Sequence, residues 1–173
     1  MAESERTRVR EREPVPQTDY EKSLGKTQEF AERQRIGQVV IKPSDRPMQV
    51  TRQGRLCYYM LPGVHTNVPL QDWAIFKHDI RTHSGMHRHQ GGLVIYVVEG
   101  KGYSVIDGER VDWEKGDLLL LPIRSGGVEH QHFNSEPGKG CQWVAFCHWP
   151  IMEHLSMVLT QTKESPDFRN QQS

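Results

Sequence analysis

Short runs rich in Val, Ile, Tyr and Leu, broken by Gly, Pro and Asp at the intervals of a small sandwich or barrel, predict an all-β fold from about residue 37 to 160. Two local signals agree with this. Asp107-Gly108, between "YSVI" and "ERVDW", has the chemistry of a tight hairpin turn. Gly100 and Gly102 end one apolar run and open the next.

Residues 1–36 read as a separate charged arm. They carry eight basic and eight acidic side chains, few large apolar ones, and Pro14 and Pro16 close together. The first part cannot bury enough surface to offset its ordering entropy and is expected to be flexible. From Asp19 to Arg35 the sequence predicts a short surface helix, with Tyr20, Leu24 and Phe30 as weak apolar anchors.

The strand candidates follow in order: "GQVVIK", "LCYYML", "WAIFKHDIR", "GLVIYVVEG", "GYSVIDG", "GDLLLLP", "EHQHFN" and "CQWVAFCHW". In "PIMEHLSMVL", Ile151, Leu155, Met157, Val158 and Leu159 lie near helical spacing and predict a helix that closes the core. Residues 161–173 are polar and are expected to be a loose tail.

With 173 residues the chain is one ordinary domain. Its 22 basic and 22 acidic residues cancel, so no global field draws it to nucleic acid or anionic lipid. Small molecules and other proteins remain as partners. The longest apolar runs are too short to span a bilayer, and the charged N-terminus lacks the apolar stretch of a secretion signal, which predicts a cytoplasmic protein. Cys57, Cys141 and Cys147 have no C-x-x-C pairing and read as buried thiols.

Four of the nine histidines fall in two H-x-H pairs, His87/His89 and His130/His132. Residues two apart on a strand share a face, so each pair aims two imidazoles to one side. A small β architecture has a single interior, where strands distant in sequence meet. Three neutral imidazoles converging there would form a metal platform with open positions, as chemistry requires. Single histidines have no such pattern: His65, His78, His148 and His154 are expected to be ordinary packing or surface residues, and His83 a residue of the pocket rim.

The stretch "HRHQGGLVIYVVEGKG", followed by "GDLLLLP" and "HQHFN", resembles the two motifs of the cupin superfamily. His87, His89 and Gly100 match the first motif, and Gly116, Pro122, His130 and Asn134 the second, with about three extra residues in "IRSGGVE". The acidic position of the first motif falls on Leu93. The resemblance covers roughly residues 55–148 and is strongest to gentisate 1,2-dioxygenase-like cupins, which bind metal through three histidines. It implies a small jelly-roll barrel in which His87, His89 and His130 hold a divalent metal, Fe(II) above Mn, Ni or Zn. It also implies that His132 contacts substrate or supports the ligands. Strand parity alone puts both His130 and His132 inside and leaves the third ligand open.

Three neutral ligands leave the metal its full charge and about three vacant positions, which favours an anionic chelating substrate with O2 beside it. The likeness implies C–C cleavage of a hydroxylated aromatic or related chelating acid. Arg81, at the parity of His87, and Arg124, in the inserted loop, are candidates to grip a substrate carboxylate. Gln142 can hydrogen-bond a substrate oxygen or a ligand histidine, with Trp143 as its core-packing alternative on the same strand. Leu93, Ile95 and Val97 share the histidines' parity and are expected to line the interior, and Glu99 is expected to support the turn at Gly100. A lyase or isomerase using the same metal without O2, and a ligand sensor, are the competing functions. Dioxygenases of this kind often carry two barrels, so a homodimer with the N-terminal arm on its neighbour is expected.

Overall fold

The computed structural model describes residues 17–171. The expected flexibility of the first part of the arm lies outside them. Helix α1, Asp19–Ile36, starts at a capping box in which Thr18 and Glu21 satisfy each other's backbone donors. None of its residues is buried. Tyr20, Leu24 and Phe30 are 72%, 45% and 51% exposed, so they do not anchor the helix to the barrel. Its tie is Gln34 Nε2, which donates to the Pro69 carbonyl.

After a 3-10 turn at Pro43–Asp45 come eleven strands among the described residues. The first five are β1 Gln49–Thr51, β2 Gly54–Met60, β3 Trp73–Asp79, β4 Met86–His89 and β5 Leu93–Glu99. They are followed by β6 Lys101–Ile106, β7 Glu109–Glu114, β8 Leu118–Leu120, β9 Val128–Asn134 and β10 Gln142–His148. Helix α2, Trp149–His154, precedes β11, Thr160–Lys163, and helix α3, Pro166–Arg169. The strands form a six-stranded sheet, β1-β2-β3-β10-β5-β8, and a five-stranded sheet, β11-β4-β9-β6-β7, with all pairings antiparallel. This is the all-β jelly-roll architecture expected from the sequence.

Alternation explains how the sheets close on each other. On β5, Leu93, Ile95 and Val97 are buried while Val94 and Tyr96 face out; on β10, Trp143, Ala145 and Cys147 are buried. These residues join Ile80, Trp113, Leu119, Leu121 and Met152 in one core. Burying each large aliphatic side chain contributes roughly 1.5–3 kcal/mol of transfer free energy. The β6–β7 hairpin turns at Asp107 and Gly108, whose φ values of 50° and 90° match the two left-handed positions of a type I′ turn. At Gly91 φ is 84°, and a Cβ would run into the Pro122 carbonyl; only glycine lets β4 turn into β5 beneath that loop.

Three expectations are corrected. "GQVVIK" is not a strand: Val39 and Val40 are 83% and 69% exposed, and β1 forms later, at Gln49–Thr51. The C-terminal helix is short, with Met152 its buried residue, and gives way after His154 to a turn. Through residue 171, where the described residues end, the polar C-terminal segment is not loose. Strand β11 pairs with β4, and Gln161 and Thr162 donate to the Met86 carbonyl.

Candidate metal centre

The five-stranded sheet aligns the two H-x-H pairs. β4 and β9 run side by side with His87 opposite His130, which puts His87, His89 and His130 on the same inner surface. They are 7%, 4% and 1% exposed. Their ring centroids are 4.2 Å (His87–His130), 4.8 Å (His89–His130) and 5.6 Å (His87–His89) apart. One nitrogen from each ring lies within 4.8 Å of the others.

Their surroundings keep these rings uncharged. Burial lowers His87 well below the usual imidazole value, helped by its neighbours His130 and His89. Burial likewise brings His89 and His130 to about 4. At neutral pH each therefore keeps a lone pair, the form that binds a cation. His130 Nδ1 donates to the Val128 carbonyl at 3.0 Å, fixing its proton and leaving Nε2 bare. His130 Nε2 and His87 Nδ1 are buried without a hydrogen-bond partner. Buried orphans of this kind are costly, and a cation would relieve them, so the donor set fits a divalent transition metal. His89 differs. The Gly91 N–H donates to its Nδ1 at 3.0 Å, so the neutral ring carries its proton on Nε2, and ligation there requires the Gly91 contact to yield.

His132 shares the interior but not the cluster. Its Nδ1 meets Ser104 Oγ at 2.6 Å, and the same hydroxyl accepts from Trp113 Nε1 at 2.9 Å. Ser104 Oγ thus bridges Trp113 Nε1 and His132 Nδ1. The ligand-atom cluster takes in His130 and not His132, which favours His130 as the third ligand where parity left the choice open.

The other candidates lie elsewhere. Arg81 is exposed, in a groove shared with residues 137–140, because β3 ends at Asp79 and the loop to Met86 breaks the strand parity that would have carried Arg81 inward. Arg124 is exposed and paired with Asp107 at 2.5 Å. Gln142 takes the outward register on β10, and Trp143 the inward one. His83 is no rim residue: its ring lies tilted against Phe133, centroids 5.6 Å apart, with Nδ1 2.9 Å from the Ser84 carbonyl. His78, expected to be an ordinary residue, is buried with its ring 4.9 Å from Trp143, and burial lowers it to about 3. The alternation Ala74, Phe76, His78 in "WAIFKHD" was the signal for it.

A cavity of about 250 Å³ opens beside His87 and His89. Tyr58, Phe76, Leu93, Trp149, Met157 and Leu159 form most of its wall, and Gln53 adds one neutral polar group. Leu93, at the motif's acidic position, thus supplies wall rather than charge.

Residues 78–147 match the family model described as a cupin domain. The chain is similar to a gentisate 1,2-dioxygenase from Streptomyces sp, 31% identical over 114 residues, covering 61% of this chain and 31% of the relative. A gentisate 1,2-dioxygenase from Ralstonia sp is 35% identical over 72 residues, covering 40% of this chain and 19% of the relative. The chain thus spans less than a third of either relative's length. Among solved structures it resembles salicylate 1,2-dioxygenase from Pseudoaminobacter salicylatoxidans, with gentisate, at 25% identity and a TM-score of 0.51, over 77% of this chain and 35% of that one. The polyketide cyclase RemF from Streptomyces resistomycificus shares the fold at 16% identity and a TM-score of 0.53, over 79% of this chain and 94% of that one.

Proposed function

We propose, on the premise that residues 78–147 form a cupin domain, that this protein is a metal-dependent dioxygenase, with Fe(II) as its metal. Its reaction is C–C cleavage of a small hydroxylated aromatic or related chelating carbonyl or carboxylic acid. The observation that carries this reading is the group of three buried, neutral imidazoles whose ligand atoms lie within 4.8 Å of one another. Likeness to gentisate and salicylate dioxygenases supports the reaction class.

Bound there, a divalent metal supplies Lewis acidity and a route for electron density from substrate to O2. The chain's residues set the conditions. His87, His89 and His130 offer neutral nitrogens, and no carboxylate joins their cluster among the described residues, so a bound cation keeps its charge for an anionic substrate. The apolar wall excludes water from the reacting edge. Ser104 engages His132 Nδ1 and so fixes the orientation of that ring. A homodimer belongs to the same proposal, with exposed Phe30, Ile36, Val39 and Val40 as the apolar surface available for covering.

Oxygen uptake by Fe(II)-loaded protein, presented with gentisate, salicylate, hydroxyacetophenone and diketones, tests the reading. Uptake with at least one compound, abolished in His130→Ala, is expected. Turnover without oxygen consumption would replace the dioxygenase with a lyase or isomerase.

A further inference from the structure

We propose that the cavity beside His87 and His89 selects a ligand whose charge is confined to its histidine-facing end and whose remaining body is an uncharged single ring or short alkyl group. This inference rests on the proposed function and narrows its substrate to singly charged chelators: 1,3-diketone enolates or 2-hydroxyaryl carbonyl compounds and carboxylates without a second charge.

Size gives the first limit. At about 250 Å³ the space falls below the roughly 300–1,000 Å³ of sites for drug-sized molecules, so one ring with a short substituent fills it. The wall gives the second. Apart from the two imidazoles and Gln53, its lining is apolar or aromatic, with the Tyr58 and Phe76 rings 5.4 Å apart on one side. Its titratable members are neutral at pH 7: burial pushes the Tyr58 phenol up and the Cys147 thiol to about 11.

The third limit is where the cations are. Among the described residues no Lys or Arg lines this cavity. Arg124 is held by Asp107, Arg55 by Asp79 at 3.0 Å, and Arg81 lies in a separate groove. A second carboxylate on the ligand would face an apolar wall with no partner, and an unpaired buried charge is strongly disfavoured. The expectation that Arg81 or Arg124 grips a carboxylate is therefore replaced by a site in which the histidine end alone receives the negative charge.

The test uses Co(II)-loaded protein, whose metal content is measured first and whose visible absorption reports ligand binding. Benzoylacetone, salicylate and 4-hydroxyisophthalate, which is salicylate with a second carboxylate, are titrated in turn. Benzoylacetone or salicylate should bind at least tenfold more tightly than 4-hydroxyisophthalate, and the tighter of the two identifies the diketone or the hydroxyaryl carboxylate as the source. Leu159→Lys, which places a cation at a half-exposed wall position, should recover most of the dicarboxylate's lost affinity. Equal affinities for salicylate and 4-hydroxyisophthalate in the parent protein, or binding of none of the three by metal-replete protein, overturn the inference and leave the metal site standing. Protein that takes up no Co(II) overturns the proposed function and this inference with it.

Discussion

The two sheets present opposite chemistry to the interior they share. From the five-stranded sheet, His87, His89, His130 and His132 point inward; from the six-stranded sheet come Ala74, Leu93, Ile95, Val97, Trp143 and Cys147, with His78 the single buried imidazole. One sheet supplies donors and the other supplies a dry wall. The separation has a physical logic. Burial away from water keeps the imidazoles neutral even in mild acid, and an apolar wall needs no rigid polar geometry of its own.

The sharpest way to break this comparison is to remove a donor. His130→Ala or His87→Ala should lower metal affinity by more than the roughly 10–100-fold typical of losing a supporting group, read by competition with a chelator. Thermal stability of the metal-free protein should fall far less. Damage to the wall should do the reverse. Ile95 is fully buried, and Ile95→Ala should cost about 2–5 kcal/mol in urea unfolding while the folded fraction still binds one metal per chain.

Acid acts mainly on the donor sheet, which holds four of the five buried imidazoles among the described residues, His78 being the fifth. His89 and His130 titrate near 4 in the folded protein but near the ordinary imidazole value when unfolded, so the unfolded chain binds more protons between those limits. Stability of the metal-free protein should be fully present above about pH 6.5 and fall as pH drops towards 4. Urea melts at pH 7 and pH 5 measure this, and unchanged midpoints would contradict it.

A smaller effect is expected one layer behind the donors. Ser104→Ala strands Trp113 Nε1 and removes the partner of His132 Nδ1. It should cost about 1–3 kcal/mol and shift the His132 ring-nitrogen resonances, whereas Ser104→Thr, which keeps the hydroxyl, should preserve them. Smallest of all is Arg124→Ala: its pair with Asp107 is exposed, and loss of about 0–1 kcal/mol with unchanged ligand affinity is expected.

The donor sheet was the more legible half of the molecule. Two H-x-H pairs on strands admit one arrangement in which all four rings face inward, and period-2 alternation marked β5, β9 and β10 as well. Polarity hid the rest. "TQTK" lacks the apolar side chains that announce a strand, yet β11 extends the sheet through β4 using backbone and amide hydrogen bonds at an edge open to water. "GQVVIK" failed in the opposite way, because apolar residues without a neighbouring strand do not make one. Arg81 was misplaced because strand parity cannot be counted through the loop between β3 and β4. His132 needed a partner that sequence could not supply: Ser104 is 28 residues away and meets it only through the β6–β9 register.

X-ray absorption on metal-loaded protein tests the central claim most directly. The account predicts three imidazole nitrogens at about 2.0–2.1 Å if zinc is the probe, and one fewer in each of His87→Ala, His89→Ala and His130→Ala. Sulfur in the first shell, or a ligand count unchanged by all three substitutions, would contradict it.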